Sequence, residues 1–271
     1  MINGDAGLRS VLVHYHLFKN GGTSIEKLLR DAFGKQWTSW DKEEPGARIC
    51  GADLEAWLVR HPRIRALSSH QLVPPAPRGN LHIVPIVFLR EPLLRVRSAW
   101  RFEWQKQPGL DKPKGSLGAY IEEKFKACNI SVIANFQVSR LGNKHYDDTR
   151  PRLHRYNEEL LTNACEFIDT LPFVGLVERF PASLELMQAA CREPFPGLVV
   201  REHRENVLEA SDESVEQRLD RLRREIGNDL FDELTLRNRL DLQLYGHAKG
   251  RFGALHEQWR RAACEDVRDV A

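Results

Sequence analysis

The sequence predicts an α/β fold with a central parallel sheet flanked by helices, and three observations carry that prediction. Two strand–loop–helix units follow one another, at 11–34 and at 82–104. The strand of each unit is a short apolar run, the pattern of a strand buried on both faces. The chain has 271 residues, 42% of them hydrophobic and 29% charged, which suits a globular protein with a substantial core.

The elements follow in order. Val11–Phe18 is apolar and rich in strand formers. Lys19-Asn20-Gly21-Gly22-Thr23-Ser24 is a glycine-containing loop. Ile25, Leu28, Leu29, Ala32 and Phe33 then recur at helical spacing, and Gly34 supplies a stop. Asp53–Leu58 reads as a short helix, and Pro74–Gly79 as a loop. Ile83–Leu89 is the second strand, with Pro85 an unusual occupant of a central strand. Pro92 fits the first turn of the next helix. Leu93, Val96, Trp100 and Trp104 mark one face of it, and Arg95, Ser98 and Arg101 lie away from that face. The glycines, prolines and lysines of 107–118 read as a mobile surface loop. Further helices are expected near Leu117–Lys126, Ala182–Cys191 and Ser214–Ile226, with a short buried strand at Phe173–Val177. No linker divides the chain, so a single domain over 1–271 is expected.

Composition narrows the function. Forty Lys and Arg against 38 Asp and Glu leave a net charge of +2, too little for a polycation that binds nucleic acid by bulk charge. No apolar run approaches the roughly 20 residues of a membrane span. The cysteines Cys50, Cys128, Cys165, Cys191 and Cys264 are odd in number and contain no Cys-x-x-Cys pair. That spacing points away from a disulfide framework or a conventional zinc site. No metal is expected. With no signal-peptide pattern at the start, the expected compartment is the cytoplasm.

Residues 16–24 carry the chemistry. A glycine pair lets the backbone turn tightly and approach a ligand. The helix start behind it offers unpaired N–H groups and the positive end of its dipole, a cradle for phosphate. Lys19 adds a charge, and Thr23 and Ser24 add hydroxyls. It is not a Walker A loop, where Lys follows the last glycine and precedes Ser or Thr; here Lys19 comes before Gly21 and Gly22. The alternative is an ordinary tight turn with a helix cap at Thr23 or Ser24.

A second anion pocket is expected at Arg90, which ends the second strand, with Ser98 about two turns along the helix. Ligands of open parallel sheets collect at the carboxyl ends of strands, and a guanidinium grips phosphate bidentately. Arg95, Arg97 and Arg101 add positive charge nearby. The alternative is a solvated helix with salt bridges to Glu91 and Glu103. Two such pockets on one sheet suit a ligand with phosphates at both ends.

His16-Leu17-Phe18-Lys19-Asn20-Gly21-Gly22-Thr23-Ser24 resembles the 5′-phosphosulfate loop of sulfotransferases, typically His-Ile-Pro-Lys-Thr-Gly-Gly-Thr-Ser. Leu89-Arg90-Glu91-Pro92 through Arg95 and Ser98 resembles the family's 3′-phosphate motif. Within the family the similarity is to the branch related to heparan sulfate 2-O-sulfotransferase and its bacterial relatives. Asn135–Arg140, Phe173–Phe180 and Asn238–Tyr245 are similar to further segments of that branch, in the right order. Phe18 stands for the usual Pro, Asn20 for Thr and Glu91 for Asp.

The resemblance implies a three-layer, P-loop-NTPase-like sulfotransferase fold and 3′-phosphoadenosine 5′-phosphosulfate (PAPS) as sulfuryl donor. It places Lys19, Asn20, Gly21, Gly22, Thr23 and Ser24 around the 5′ end and Arg90 and Ser98 on the 3′-phosphate. Lys19 would stabilise charge on the leaving oxygen. A base is also needed. His70 is the choice, because the branch carries a proposed histidine base in a Gly-His step there, with Ser69 here in place of the Gly. Its ordinary pKa suits the task. Glu26 and Glu55 are weaker choices, and His14 and His16 are expected to be buried or supporting. The expected acceptor is a carbohydrate or other small-molecule alcohol. A small-molecule kinase with an altered loop and a non-catalytic nucleotide-binding module are the alternatives.

Overall fold

The computed structural model describes residues 8–44, 46–106, 115–127, 130–142, 158–200 and 213–268. Five strands form one sheet: β1 (Arg9–Tyr15), β2 (Trp37–Ser39), β3 (Ala66–Ser69), β4 (Leu81–Leu89) and β5 (Gly175–Leu176). Their order is β2-β3-β1-β4-β5, and every neighbouring pair is parallel. The helices are α1 (Gly22–Phe33), α2 (Gly51–Arg60), α3 (Pro92–Trp100), α4 (Leu117–Lys126), α5 (Phe136–Leu141), α6 (Glu158–Thr170), α7 (Phe180–Ala190), α8 (Val215–Ile226), α9 (Asn228–Arg237) and α10 (Arg239–Arg268). Helices flank the sheet, as expected of a three-layer α/β fold.

The central strands read as they do because both of their faces are covered. Val11, Leu12 and Val13 of β1 and Ile86, Val87, Phe88 and Leu89 of β4 are all buried. Pro85 lies opposite Val13 in the β1–β4 register. It is tolerated because β5 joins β4 at Phe88 and Leu89, so among the described residues no strand pairs with Pro85 on that side. A second apolar cluster joins α3, α4, α8 and α9 through Leu93, Val96, Tyr120, Ile121, Leu222 and Leu234.

The strand order reverses at β1. The chain runs outward to β2, returns to β3 beside β1, and then crosses to β4 on the other side. The loops after β1, β3 and β4 therefore leave the sheet at one end, around the crevice where ligands of such sheets bind.

Several expectations are corrected. The first strand stops at Tyr15 rather than Phe18. His16 makes a last ladder bond to Ser69 O (2.9 Å), and Leu17 N then turns back onto Tyr15 O (2.9 Å). The segment expected as a strand at Phe173–Val177 pairs only at Gly175–Leu176, because Val177 enters a 3-10 turn. Ala32 is exposed. Arg95 does not lie away from the core: it is wholly buried, its guanidinium 4.5 Å from the Phe136 ring centroid. The loop read at 107–118 lies outside the described residues up to position 114, and α4 begins at Leu117.

Candidate functional site

The loop after β1 is shaped by its backbone. Lys19 and Gly21 both take left-handed conformations, with φ 64° and 77°. That is strained for a lysine and natural for a glycine. Gly22 opens α1, and a Cβ there would stand 1.9 Å from His16 Cδ2, so only glycine lets the imidazole pack on the helix start. Neither Thr23 nor Ser24 caps α1: the helix has no side-chain cap and no acidic residue in its first turn. Ser24 N and Ile25 N bond to Gly21 O. Gly22 and Thr23 thus lead a helix whose positive end is uncompensated, the condition for holding an anion.

Asn20 plays another part than lining the cradle with its side chain. It is 1% exposed, and its amide donates to Phe88 O (2.9 Å) and to Gln137 Oε1 (2.7 Å). It pins the loop to the end of β4 and to α5. Gln137 Oε1 also accepts from Arg90 N (3.0 Å), and Gln137 Nε2 donates to Arg90 O (3.0 Å).

Arg90 is brought to the loop, its Nη1 3.4 Å from Lys19 O. On its other side Glu178 Oε1 lies 3.8 Å from Nε. Ser98 is half-buried on α3, and its hydroxyl makes no hydrogen bond among the described residues. The other arginines turn elsewhere. Arg95 is in the core, and Arg97 pairs with Glu225 at 3.1 Å. Of the expected positive cluster, Arg95 and Arg97 are thus engaged elsewhere, while Arg90 stands with Lys19 on the loop side. Glu91 and Glu103, the partners of the alternative reading, are engaged with other groups. Glu91 is buried and caps α3, accepting from Leu94 N (2.7 Å), and Glu103 pairs with Lys124 (2.8 Å). Burial pushes the Glu91 carboxyl up to about 7, against the pull of the Leu94 N–H and with a push from Glu178.

His70 follows β3 directly and forms a dyad. Its Nδ1 meets Asp41 Oδ2 at 2.9 Å, while its backbone N–H and the Ser69 hydroxyl donate to Asp41 Oδ1 (2.9 and 2.5 Å). The hydrogen bond to Asp41 raises the His70 pKa above its ordinary value, against burial. Burial raises the Asp41 carboxyl, but the His70 and Ser69 hydrogen bonds outweigh it and bring it to about 2. With Nδ1 held by a carboxylate, Nε2 is the nitrogen left to take a proton.

The rings of His14, His16 and His70 stack in a column, with centroids 5.2 Å and 4.0 Å apart. His16 Nδ1 meets Glu26 Oε1 at 2.9 Å. His14 is buried, and burial, then His16 and His70, lower its pKa well below the usual value. Glu55 is partly buried and bonds Asn80 N (3.3 Å), away from the dyad.

His70 also lines a cavity of about 580 Å³ with Phe18, Phe102, Trp104, Phe136 and Arg140. Phe102 and Trp104 sit on a wider, π-type turn (Arg101–Lys106) that continues α3. Such turns recur at functional sites. The Lys19 ammonium lies 4.7 Å from the Phe102 centroid and 5.8 Å from that of Phe18, so it stands at the edge of this cavity. The helix start, the lysine, the arginine and the dyad thus surround one region.

Behind it runs a buried polar network that joins segments far apart in the sequence. Asp241 accepts from Gln137 N (3.0 Å) and Val138 N (2.8 Å), capping α5. In return Asn135 Oδ1 accepts from Leu240 N and Asp241 N (3.1 Å each), capping α10. Tyr245 donates to Glu178 Oε2 (2.8 Å). Burial raises the Asp241 carboxyl, while Arg95 and the capped N–H groups pull it down. The candidate site residue that sequence reasoning misses is Asp41, which comes from an irregular segment 29 positions from His70.

No family model matches the chain. Over 253 residues it is 28% identical to an uncharacterized protein of Archaeoglobus fulgidus, an alignment covering 88% of this chain and 95% of that protein.

Proposed function

We propose that this protein is a sulfotransferase that moves the sulfuryl group of PAPS to a hydroxyl of a carbohydrate or other small-molecule acceptor. The observation that most supports this is the meeting, at one end of the sheet, of an uncapped glycine-led helix, two cations and a histidine–aspartate dyad facing a cavity. The uncapped, acid-free start of α1 fits an anion, and Arg90 and Lys19 add the charge a doubly anionic nucleotide requires.

When bound, the co-substrate supplies a sulfuryl group on a phosphate leaving group. Gly21, Gly22, Thr23 and Ser24 hold the 5′ end through backbone and hydroxyl donors, with Asn20 fixing the loop behind them. Arg90 and Ser98 hold the 3′-phosphate. The Lys19 ammonium neutralises charge on the leaving oxygen. His70 Nε2 takes the proton of the acceptor hydroxyl, and Asp41 orients the ring and stabilises its protonated form. The cavity beside His70 holds the acceptor, with Phe18, Phe102 and Phe136 as apolar walls. We place the protein in the cytoplasm, a setting supported by the free thiols of Cys50, Cys165 and Cys191. Among the described residues no helix is long and apolar enough to cross a membrane.

The test is transfer of radiolabelled sulfuryl from PAPS to a panel of alcohols and sugars in chelator. Labelled product is expected, and His70→Ala cuts its formation about 10²-fold or more. Magnesium-dependent ATP turnover would favour a kinase, and nucleotide binding without any PAPS turnover a binding module.

A further inference from the structure

We propose that His14, His16 and Glu26 form a binding site for a zinc-class divalent cation, set directly behind His70. The inference does not depend on the sulfuryl chemistry. His14 ends β1 one residue short of its last position and His16 follows two residues on, so both rings emerge on the same side of the strand. Glu26 comes from the second turn of α1 and faces back onto them. The donor atoms of all three lie within 4.8 Å of one another.

Two of the donors are already at chelating separation. His16 Nδ1 and Glu26 Oε1 are 2.9 Å apart, close to the roughly 3.3 Å between neighbouring ligands of a tetrahedral zinc. An ion replaces the proton they share, and only the His14 ring has to draw in. That ring is 1% exposed, and its Nδ1 meets Ser68 Oγ at 3.2 Å. This is the outer hydrogen bond that metal-bound histidines use to fix the ring, and it leaves Nε2 for the ion. The His16 ring is held between its neighbours, packed on Gly22 so closely that a Cβ there would clash at 1.9 Å. Two imidazoles and one carboxylate suit zinc or cobalt better than magnesium or calcium, which prefer all-oxygen sets. Three protein ligands leave a position open for water.

The site touches the proposed base. The His16 and His70 ring centroids are 4.0 Å apart, so an ion that fixes His16 also fixes the surface on which His70 rests. Any effect of zinc on turnover rests on the sulfotransferase reading; binding itself does not.

The test uses the whole chain, stripped with chelator, titrated with Co²⁺ by visible absorption and with Zn²⁺ by calorimetry. The proposal expects one equivalent of each ion and tetrahedral cobalt bands. Glu26→Gln and His14→Gln each weaken binding about tenfold or more. His70→Ala leaves the affinity within about twofold, because the dyad contributes no ligand. Absence of binding at about 100 µM Zn²⁺, well above the affinities of protein zinc sites, overturns the proposal. So does binding that survives both substitutions or vanishes with His70→Ala. If His14→Gln fails to fold, by circular dichroism, Glu26→Gln decides alone, since its side chain is partly exposed.

Discussion

Asn20 and Gln137, 117 positions apart, meet at 2.7 Å in the interior, and through this contact the helical C-terminal region holds the loop after β1. Gln137 in turn rests on Asp241 and clasps both backbone groups of Arg90. The loop and the arginine that are proposed to bind the two ends of one nucleotide are thus anchored by a single amide.

Gln137→Leu should therefore act on stability and binding together. It strands the Arg90 N–H and C=O and one Asn20 contact in a buried setting, at about 1–3 kcal/mol for each orphaned group. We expect a loss of about 2–6 kcal/mol in urea unfolding and weaker nucleotide binding. A change within about 0.5 kcal/mol, the scatter of surface substitutions, would show that the network carries no load.

Gly22→Ala introduces a methyl where His16 already sits. Expected are displacement of the His16 ring, visible in its NMR resonances, and a fall in nucleotide affinity of about tenfold or more, equal to 1.4 kcal/mol. Unchanged His16 shifts and affinity would mean that the ring yields freely.

His70→Ala should cut turnover by about 10²-fold or more, the usual share of a general base. Asp41→Asn keeps the shape but removes the charge that raises the His70 pKa. Its turnover should fall about tenfold or more, with bisphosphate affinity retained. Wild-type turnover in His70→Ala removes that residue from the role.

Glu91 gives the fold a pH dependence with a definite sign. Its folded pKa of about 7 is above the ordinary 4.5. Its contribution is fully present below pH 4.5 and is lost as pH rises through 7. The loss is on the order of 3 kcal/mol, from 1.36 kcal/mol per unit. Denaturant titrations at pH 5 and pH 8 should show wild-type stability falling, and Glu91→Gln should flatten that fall. An equal slope in both proteins contradicts the assignment.

How much of this could be read from the sequence depends on how local each feature is. The β1–loop–α1 unit was legible because glycine, lysine and helical spacing occur within one short run. The strand before Arg90 was legible because Ile83–Leu89 is one apolar run. Asp41 was not, because it lies in an irregular segment with no periodicity and meets His70 only after β2 and β3 pair. Arg95 was misplaced because periodicity treats a charge as solvent-facing. Here the Phe136 ring and the Asp241 carboxylate compensate its burial. The segments around Gln137, Glu178 and Asp241 were recognisable, but their shared task exists only once the helices fold back on the sheet.

Calorimetric titration with adenosine 3′,5′-bisphosphate, beside AMP and ATP, in chelator, addresses the central claim most directly. The account predicts that the bisphosphate binds at least about tenfold tighter than either, a gap of 1.4 kcal/mol. It predicts that Arg90→Ala removes that preference, and that Lys19→Ala largely keeps it while slowing turnover. Equal affinity for the three nucleotides, or a preference indifferent to Arg90, would contradict it.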